Sequence, residues 1–524
     1  MSQTAVSDRL VQLLHAAGVE VVFGIGGTHS LSFIGAFERD PRVRFVSARN
    51  EQGAGYMASA YARLTGRPGV IVTSTGPGAL NSLSGLADAR WSSLPILHLT
   101  TFADLGTFSG GIHESPAQSE VMSLVGHTSH RVVDGDVDGP FWEAWCACTE
   151  RPGRVATLEV HSKVWNTPAT ESPRAAGPAP ATPPVSIESI VESLDDDVSV
   201  AIYVGGGVLR DDATQSMRAL AEALDAPIVT SFQGKAVATW DHPLYIGPWA
   251  TEEAVRELVA SADVCLVFGS KLSALATGHW GLRLPAVTYW VDPAADRHGQ
   301  YPDLVPIQGR SAGIAGRLLD AVAPRERGMA HRVAAIRRRV HDAVSARAPV
   351  EVAFVRSFGE GLSGTELLSF DMNKASFWFM KYLPALADAP HSFSSYLCMG
   401  SALPYAIGLA EARPGHGVMA LMGDGGFQMG ITELATIAER RLPIAVTVFV
   451  DGAYGLLRDN GAIPGVRGSE RLGVDLVNPD FGQLAAAFEM EYTVVEHGDE
   501  LAQIARKVSA PTLVEVPLDF SRSW

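Results

Sequence analysis

The run Val418-Met419-Ala420-Leu421-Met422 is apolar throughout and closes on Gly423-Asp424-Gly425-Gly426. An unbroken apolar run suits a strand covered on both faces, which is the condition of a parallel sheet. Glycines directly after such a strand permit a tight turn into the next helix, with backbone N–H groups placed to meet phosphate oxygens. A helix over 431–440 then carries the chain back across the sheet. Pro443 to Val450 reads as the next apolar strand, and it ends at Asp451-Gly452-Ala453-Tyr454-Gly455. Crossover connections of one hand bring Asp451, 27 positions after Asp424, to the same edge of the sheet as Asp424. Two carboxylates converging there predict a site for a metal-bound diphosphate. Oxygen ligands of this kind, completed by a backbone carbonyl, water and phosphate oxygens, suit Mg2+ or Ca2+ rather than a soft metal. A lone Gly-Asp-Gly is most often just a strand-to-helix turn, and it is the paired spacing that gives this one weight.

The chain's 524 residues suffice for about three ordinary domains. With 47% hydrophobic residues and charge spread throughout, it is not a disordered protein. No apolar run approaches the ~20 residues of a membrane span, and no export signal is evident, so a cytoplasmic location is expected. Four cysteines without a C-x-x-C pair read as reduced thiols, and a zinc site is not expected. A net charge of −16 disfavours nucleic acid as a partner. The cluster Arg337-Arg338-Arg339 sits in a helical pattern and reads as a solvated face.

Helix and strand alternate from the start: Val6 to Ala17 has helical spacing, Val19 to Phe23 reads as a strand, and Gly24 to Thr28 as a turn into a helix. The rhythm continues through Val43–Val46, a helix over Glu51 to Leu64, and the strand Gly69–Thr73 with its turn Thr75-Gly76-Pro77-Gly78. Such alternation implies a mostly parallel sheet with helices on both faces. We therefore expect an α/β protein of three doubly wound domains: an N-terminal domain over 1–165, a linker over 166–187, a central domain over 188–325, a connecting helix over 326–350, and a C-terminal domain over 351–524. The glycines at Gly205-Gly206-Gly207 complete no G-x-G-x-x-G fingerprint, which favours a structural turn over a dinucleotide site. The first and third domains share one strand–turn–helix rhythm.

The Asp424/Asp451 pair resembles the thiamine-diphosphate motif, in which Gly-Asp-Gly is followed some thirty residues later by Asn-Asn. Here Val450-Asp451 stands in place of the two asparagines, which keeps an oxygen ligand and adds a negative charge. Further segments resemble, in order, those of the thiamine-diphosphate decarboxylase and acetolactate-synthase superfamily. Phe23-Gly24-Ile25-Gly26-Gly27 looks like its F-G-x-P-G loop with Gly26 for proline, Arg49-Asn50-Glu51-Gln52-Gly53-Ala54 its H-E-x-x-A segment, and Ser74 to Asn81 its S-G-P-G-x-x-N. Asp371-Met372-Asn373-Lys374-Ala375 and Met399-Gly400-Ser401-Ala402-Leu403-Pro404 look like its D-x-G-x-x and M-G-x-x-L-P.

The resemblance implies thiamine diphosphate and Mg2+ as cofactors and assigns parts to residues. Glu51 matches the glutamate that hydrogen-bonds the aminopyrimidine and promotes the imino form that deprotonates the thiazolium; alone, it would read as an acid at a helix N-terminus. Met399 matches the apolar wedge over which the cofactor bends, although a thioether also serves as core filler. Asn373, Lys374 and Ala375 on one turn and Gly423, Gly425 and Gly426 on the other would hold the diphosphate, with the metal between Asp424, Asp451 and the Ala453 carbonyl. Gly27, Thr28, Thr75, Asn81, Tyr454 and Gly455 complete the expected cofactor contacts. Lys374 is less typical of the family and would offset the charge of Asp451. In this family the Glu51 and Asp424 equivalents grip one cofactor across a subunit boundary, so a homodimer is the minimum unit and a homotetramer is expected.

The implied reaction is decarboxylation of a 2-oxo acid through an enamine, which is then protonated or captured by a second carbonyl in carboligation. Gly111-Ile112-His113-Glu114 occupies the place of an acetolactate-synthase Phe-Gln-Glu sequence. His113, with Glu114, and secondarily His29, are candidates for proton handling, or else loop histidines satisfied by backbone. The His-Glu form resembles decarboxylases of 2-oxo acids with basic side chains, such as 5-guanidino-2-oxopentanoate. Gly455-Leu456-Leu457-Arg458-Asp459 departs from the synthase pattern. An acetolactate synthase and a catalytically silent regulatory paralogue are the alternatives.

Overall fold

The computed structural model describes residues 4–103, 118–150, 152–170, 186–295, 298–383, 392–459 and 473–521. The expected His113 and Glu114, and the stretch 171–185 of the expected linker, lie outside the described residues. Three six-stranded sheets follow one another along the chain, and every pairing within them is parallel.

The first sheet consists of β1 (Val21–Gly24), β2 (Arg44–Ser47), β3 (Gly69–Thr73), β4 (Ile96–Phe102), β5 (Thr128–Val132) and β6 (Val155–His161), in the order β2-β1-β3-β4-β6-β5. The central sheet runs from β7 (Val200–Val204) through β8 (Ile228–Thr230), β9 (Tyr245–Gly247), β10 (Val264–Phe268) and β11 (Val287–Asp292) to β12 (Val305–Gln308), ordered β12-β11-β10-β7-β8-β9. The third contains β13 (Leu367–Phe370), β14 (Ser392–Phe393), β15 (Val418–Gly423), β16 (Ile444–Phe449), β17 (Glu491–Val494) and β18 (Thr512–Val516), ordered β14-β13-β15-β16-β18-β17. The first and third sheets thus have the same topology. The central one, read from its other edge, has the order of dinucleotide-binding sheets.

Strands β3, β4, β6, β7, β10 and β16 are buried along their whole length, as the apolar runs require of strands covered on both faces. The sequence places turns at Thr75–Gly78 and Gly205–Gly207; the chain instead enters helices within them, Pro77–Asn81 and Gly206–Arg210. Proline at the first helical position and glycine close to a neighbouring loop make this possible. A Cβ on Gly207 would lie 2.6 Å from the Cα of Gly269, so this glycine serves a close backbone approach.

Helix Glu51–Thr65 of the first domain packs on helix Ala402–Ala412 of the third. A Cβ on Gly408 would fall 2.2 Å from the Met57 carbonyl oxygen, and the Tyr56 and Tyr405 rings stack at 5.8 Å. Beside them the buried Asp88 accepts hydrogen bonds from Ser394 Oγ (2.8 Å), the Tyr396 amide (3.1 Å) and the Tyr405 hydroxyl. Burial raises the Asp88 pKa against these donors. The central domain grips the far end of helix Lys374–Tyr382. Lys235 Nζ donates to the Met380 carbonyl at 2.9 Å, Trp249 Nε1 to that of Lys381 at 2.9 Å, and Glu252 receives Lys381 Nζ at 2.6 Å. No helix among the described residues is long and apolar enough to cross a membrane.

Candidate active site

Asp424 follows β15 directly and is the first residue of helix Asp424–Gly430, with Gly423 as its N-cap. Its side chain is 1% exposed. Oδ1 accepts the Gly425 amide at 2.9 Å, and Oδ2 accepts the Gly452 amide at 2.8 Å and Asn478 Nδ2 at 2.7 Å. β15 and β16 are neighbours paired from Val418↔Ile444 to Gly423↔Phe449, so Asp451 emerges beside Asp424. Phe449, packed against Phe354, Phe379 and Phe520, pins the end of β16 just before it. Asp451 Oδ1 accepts the Ala453 amide at 3.2 Å, and Oδ2 lies 3.1 Å from Lys374 Nζ and 3.3 Å from Arg458 Nη2. Burial raises the Asp451 pKa, Lys374 opposes the rise, and Asp424 adds to it. Lys374 is held above its ordinary value, because Asp519 and Asp451 outweigh the cost of its own burial. Lys374 is thus shared among three acids, and Asp451 lies against two cations with a further carboxylate, Asp424, beside it.

Around this pair, Asp371 is fully buried at the end of β13 and accepts the Met372, Gly400 and Ala402 amides at 2.7, 3.1 and 3.1 Å, while burial pushes its pKa up to about 6. It thereby fixes the loop that carries Met399, which is half-buried. Gly400 has φ +73°, and a Cβ there would also meet Met429 Cβ at 2.8 Å, so this position demands glycine twice over. Leu397 stands in the left-handed region with φ +62°, a strained conformation for a non-glycine three residues earlier. Asn373 caps helix Lys374–Tyr382: its Oδ1 accepts the Ser376 amide at 3.0 Å. Ala375 is buried. Gly425 and Gly426 are spared a Cβ that would strike the Tyr454 ring at 2.7 Å and Asp371 Oδ1 at 2.9 Å.

In the first domain Glu51 opens helix Glu51–Thr65, N-capped by Asn50. Its Oε2 accepts Asn81 Nδ2 at 3.3 Å, and a Cβ on Gly78 would lie 3.1 Å from its Oε1. The Gly27 turn abuts the same loop, since a Cβ on Gly27 would fall 2.5 Å from Ser74 Oγ. Thr75 is buried and donates to Gln118 Oε1 at 3.2 Å; Thr28 is exposed and His29 half-buried. Gly27, Thr75, Asn81 and Glu51 therefore gather at the carboxyl ends of β1 and β3. Asp424, Asp451, Lys374 and Asp371 gather at those of β13, β15 and β16.

Sequence reasoning misses several participants. Asn478 completes the donors to Asp424, Arg458 and Asp519 join Lys374, and Glu433 accepts the Arg49 and Asn50 amides at 3.0 and 3.1 Å just before Glu51. No local pattern marks them, because each acts across a sequence gap that only the fold closes. A separate cavity of about 450 Å3 lies at the carboxyl edge of the central sheet, reached by Trp91, Lys271, His298 and Tyr396.

Hard oxygen donors at adjacent carboxyl ends, with glycine turns beside them, suit a divalent cation bound together with a diphosphate. Among the described residues no group of three or more His, Cys, Asp or Glu side chains is disposed to hold a metal by itself. Such an ion would therefore need backbone, phosphate or water oxygens. An α/β protein with this site belongs to the class of enzymes that act through a bound diphosphate cofactor.

Models of the thiamine pyrophosphate enzymes match all three domains: the N-terminal TPP binding domain over residues 4–121, the central domain over 187–318 and the C-terminal TPP binding domain over 371–516. The chain belongs to the thiamine pyrophosphate enzyme family. It is 29% identical to a probable 2-ketoarginine decarboxylase of Pseudomonas aeruginosa, with 97% of this chain and 93% of that protein covered. It is 25% identical to a probable acetolactate synthase large subunit of Methanocaldococcus jannaschii, covering 98% and 92%. Against an acetolactate synthase of Mycobacterium bovis it is 27% identical, covering 99% and 88%. The protein is thus a thiamine-diphosphate enzyme of the decarboxylase and acetolactate-synthase type.

Proposed function

We propose that the protein is a Mg2+-dependent decarboxylase of a 2-oxo acid, acting as a homodimer or homotetramer in the cytoplasm. The observation that carries the metal reading is the placement of Asp424 and Asp451 at the ends of the paired strands β15 and β16. Asp424, Asp451 and the Ala453 carbonyl would hold the ion, and the first turn of helix Lys374–Tyr382 and the amides after Gly423 would face the diphosphate. When bound, thiamine diphosphate supplies a carbanion that adds to the 2-oxo group and accepts the electrons released with CO2. The protein's own residues orient and protonate. Glu51 would hold a proton at the aminopyrimidine ring and Met399 would support the bent form of the cofactor, while Asp371 keeps the Met399 loop in place through the Gly400 and Ala402 amides. His113 or His29 would deliver the proton that ends the reaction.

The departure of Gly455–Asp459 from the synthase pattern favours decarboxylation over carboligation. A substrate with a basic side chain is the leading choice, in line with the name of the Pseudomonas aeruginosa relative. The presence of Glu51, Met399 and Asp424 together weighs against a silent paralogue. Measuring CO2 release from a panel of 2-oxo acids, with 5-guanidino-2-oxopentanoate and pyruvate among them, tests the reading. Acetolactate from pyruvate would instead make it a synthase. No cofactor binding under any divalent metal would make it a silent subunit.

A further inference from the structure

Lys374 is 5% exposed and stands at the first position of a helix, the end where the macrodipole disfavours a cation. Three carboxylates hold it there: Asp451 Oδ2 at 3.1 Å, Asp459 Oδ2 at 3.2 Å and Asp519 Oδ1. The chain makes room for this arrangement. A Cβ on Gly455 would lie 2.1 Å from Asp451 Oδ2 and 2.6 Å from Lys374 Cε, so any other residue at 455 would separate the pair. Asp424, by contrast, accepts from the neutral donors Gly425, Gly452 and Asn478. Asp451 thus has two cations against it, Lys374 from the turn beside the diphosphate edge and, at 3.3 Å, Arg458 Nη2, whereas Asp424 has none among the described residues.

We propose that Lys374 is a built-in counter-cation of this site: it neutralises Asp451 while no divalent ion is bound, so that the diphosphate can approach, and it competes with the ion for that carboxylate. The inference rests on the cofactor and metal reading above. Its consequence is a pair of opposite effects, which loss of structure alone would not produce: removing the charge loosens the cofactor and tightens the metal.

Calorimetric titration of the full-length protein separates these effects, with thiamine diphosphate in EDTA and with Mg2+ at saturating cofactor. In Lys374→Met, metal-free cofactor affinity should fall by about tenfold or more, the loss expected when the carboxylate beside the diphosphate loses its neighbouring cation. The Mg2+ concentration for half-saturation should fall severalfold, and Lys374→Arg should restore metal-free binding. Lys374→Gln replaces the methionine variant if that one does not fold. A parallel fall in both affinities, or no change in either, overturns the counter-cation while leaving the cofactor reading standing. So does wild-type protein that binds cofactor with Mg2+ and not at all without it. Wild-type protein that binds no cofactor even with Mg2+ overturns both.

Discussion

The first and third sheets have the same strand order, β2-β1-β3-β4-β6-β5 and β14-β13-β15-β16-β18-β17, yet their corresponding edges carry different chemistry. The third strand of the first sheet leads into the stretch from Ser74 to Asn81, which supplies Glu51 with a neutral donor, Asn81 Nδ2, and with the close surface of Gly78. The third strand of the other leads into Gly423-Asp424, and the fourth into Asp451. Parallel topology therefore decides where loops converge, and the residues in those loops decide what the convergence does. One contact between the domains links the two edges within the chain. Glu433, on the segment that follows the Asp424 helix, accepts the amides of Arg49 and Asn50, and burial raises its pKa against those donors.

If the first-domain edge governs proton transfer and the third-domain edge governs cofactor capture, substitutions at the two should fail differently. The largest effect is expected for Glu51→Gln: turnover lower by about 10²–10⁴-fold, the range of a lost acid–base group, with the melting temperature unchanged. Steady-state kinetics at saturating cofactor checks this, and wild-type turnover would remove Glu51 from the mechanism. Asp424→Ala should instead cost about a hundredfold in cofactor affinity, because Asn478 and the Gly452 amide lose their acceptor together with the metal's ligand. Fluorescence titration with thiamine diphosphate and Mg2+ measures it, and an unchanged dissociation constant would break the division of labour.

Glu433→Ala tests the coupling between the two edges. It leaves two backbone N–H groups beside Glu51 without their acceptor, a loss of about 1–3 kcal/mol in stability. Turnover should fall about tenfold while Mg2+ affinity holds, since the variant displaces only the first-domain edge. A fall in metal affinity of the same size would mean that the third-domain edge had moved as well. The smallest effect belongs to Asp451→Asn, which keeps an oxygen ligand and removes a charge beside the diphosphate. Cofactor affinity should change by less than about tenfold, and a loss comparable to that of Asp424→Ala would make the second carboxylate essential as a charge.

Much of the framework is legible in local patterns. β3 spans Gly69–Thr73 as its apolar run predicts, and helix Glu51–Thr65 and the strand before Asp424 follow from periodicity and glycine placement. Asp424 and Asp451 can be paired in advance because one strand–helix–strand unit of one hand joins them. Asn478 and Glu433 cannot, because each meets its partner across a domain or a long loop and carries no pattern of its own. Asn373, expected at the diphosphate, also caps a helix through its side-chain oxygen, a task that its spacing to Ser376 permits but does not announce.

The sequence by itself determines the α/β rhythm, the family and the two carboxylates, because apolar runs, glycine turns and the spacing of one crossover are local quantities. Only the tertiary structure decides that Lys374 lies against Asp451 in a space cleared by Gly455, and that Glu433 of the third domain holds the backbone of the first beside Glu51. Electrostatic partners are chosen by distance through space, and distance between residues far apart in the chain is set by packing the sheets and helices together.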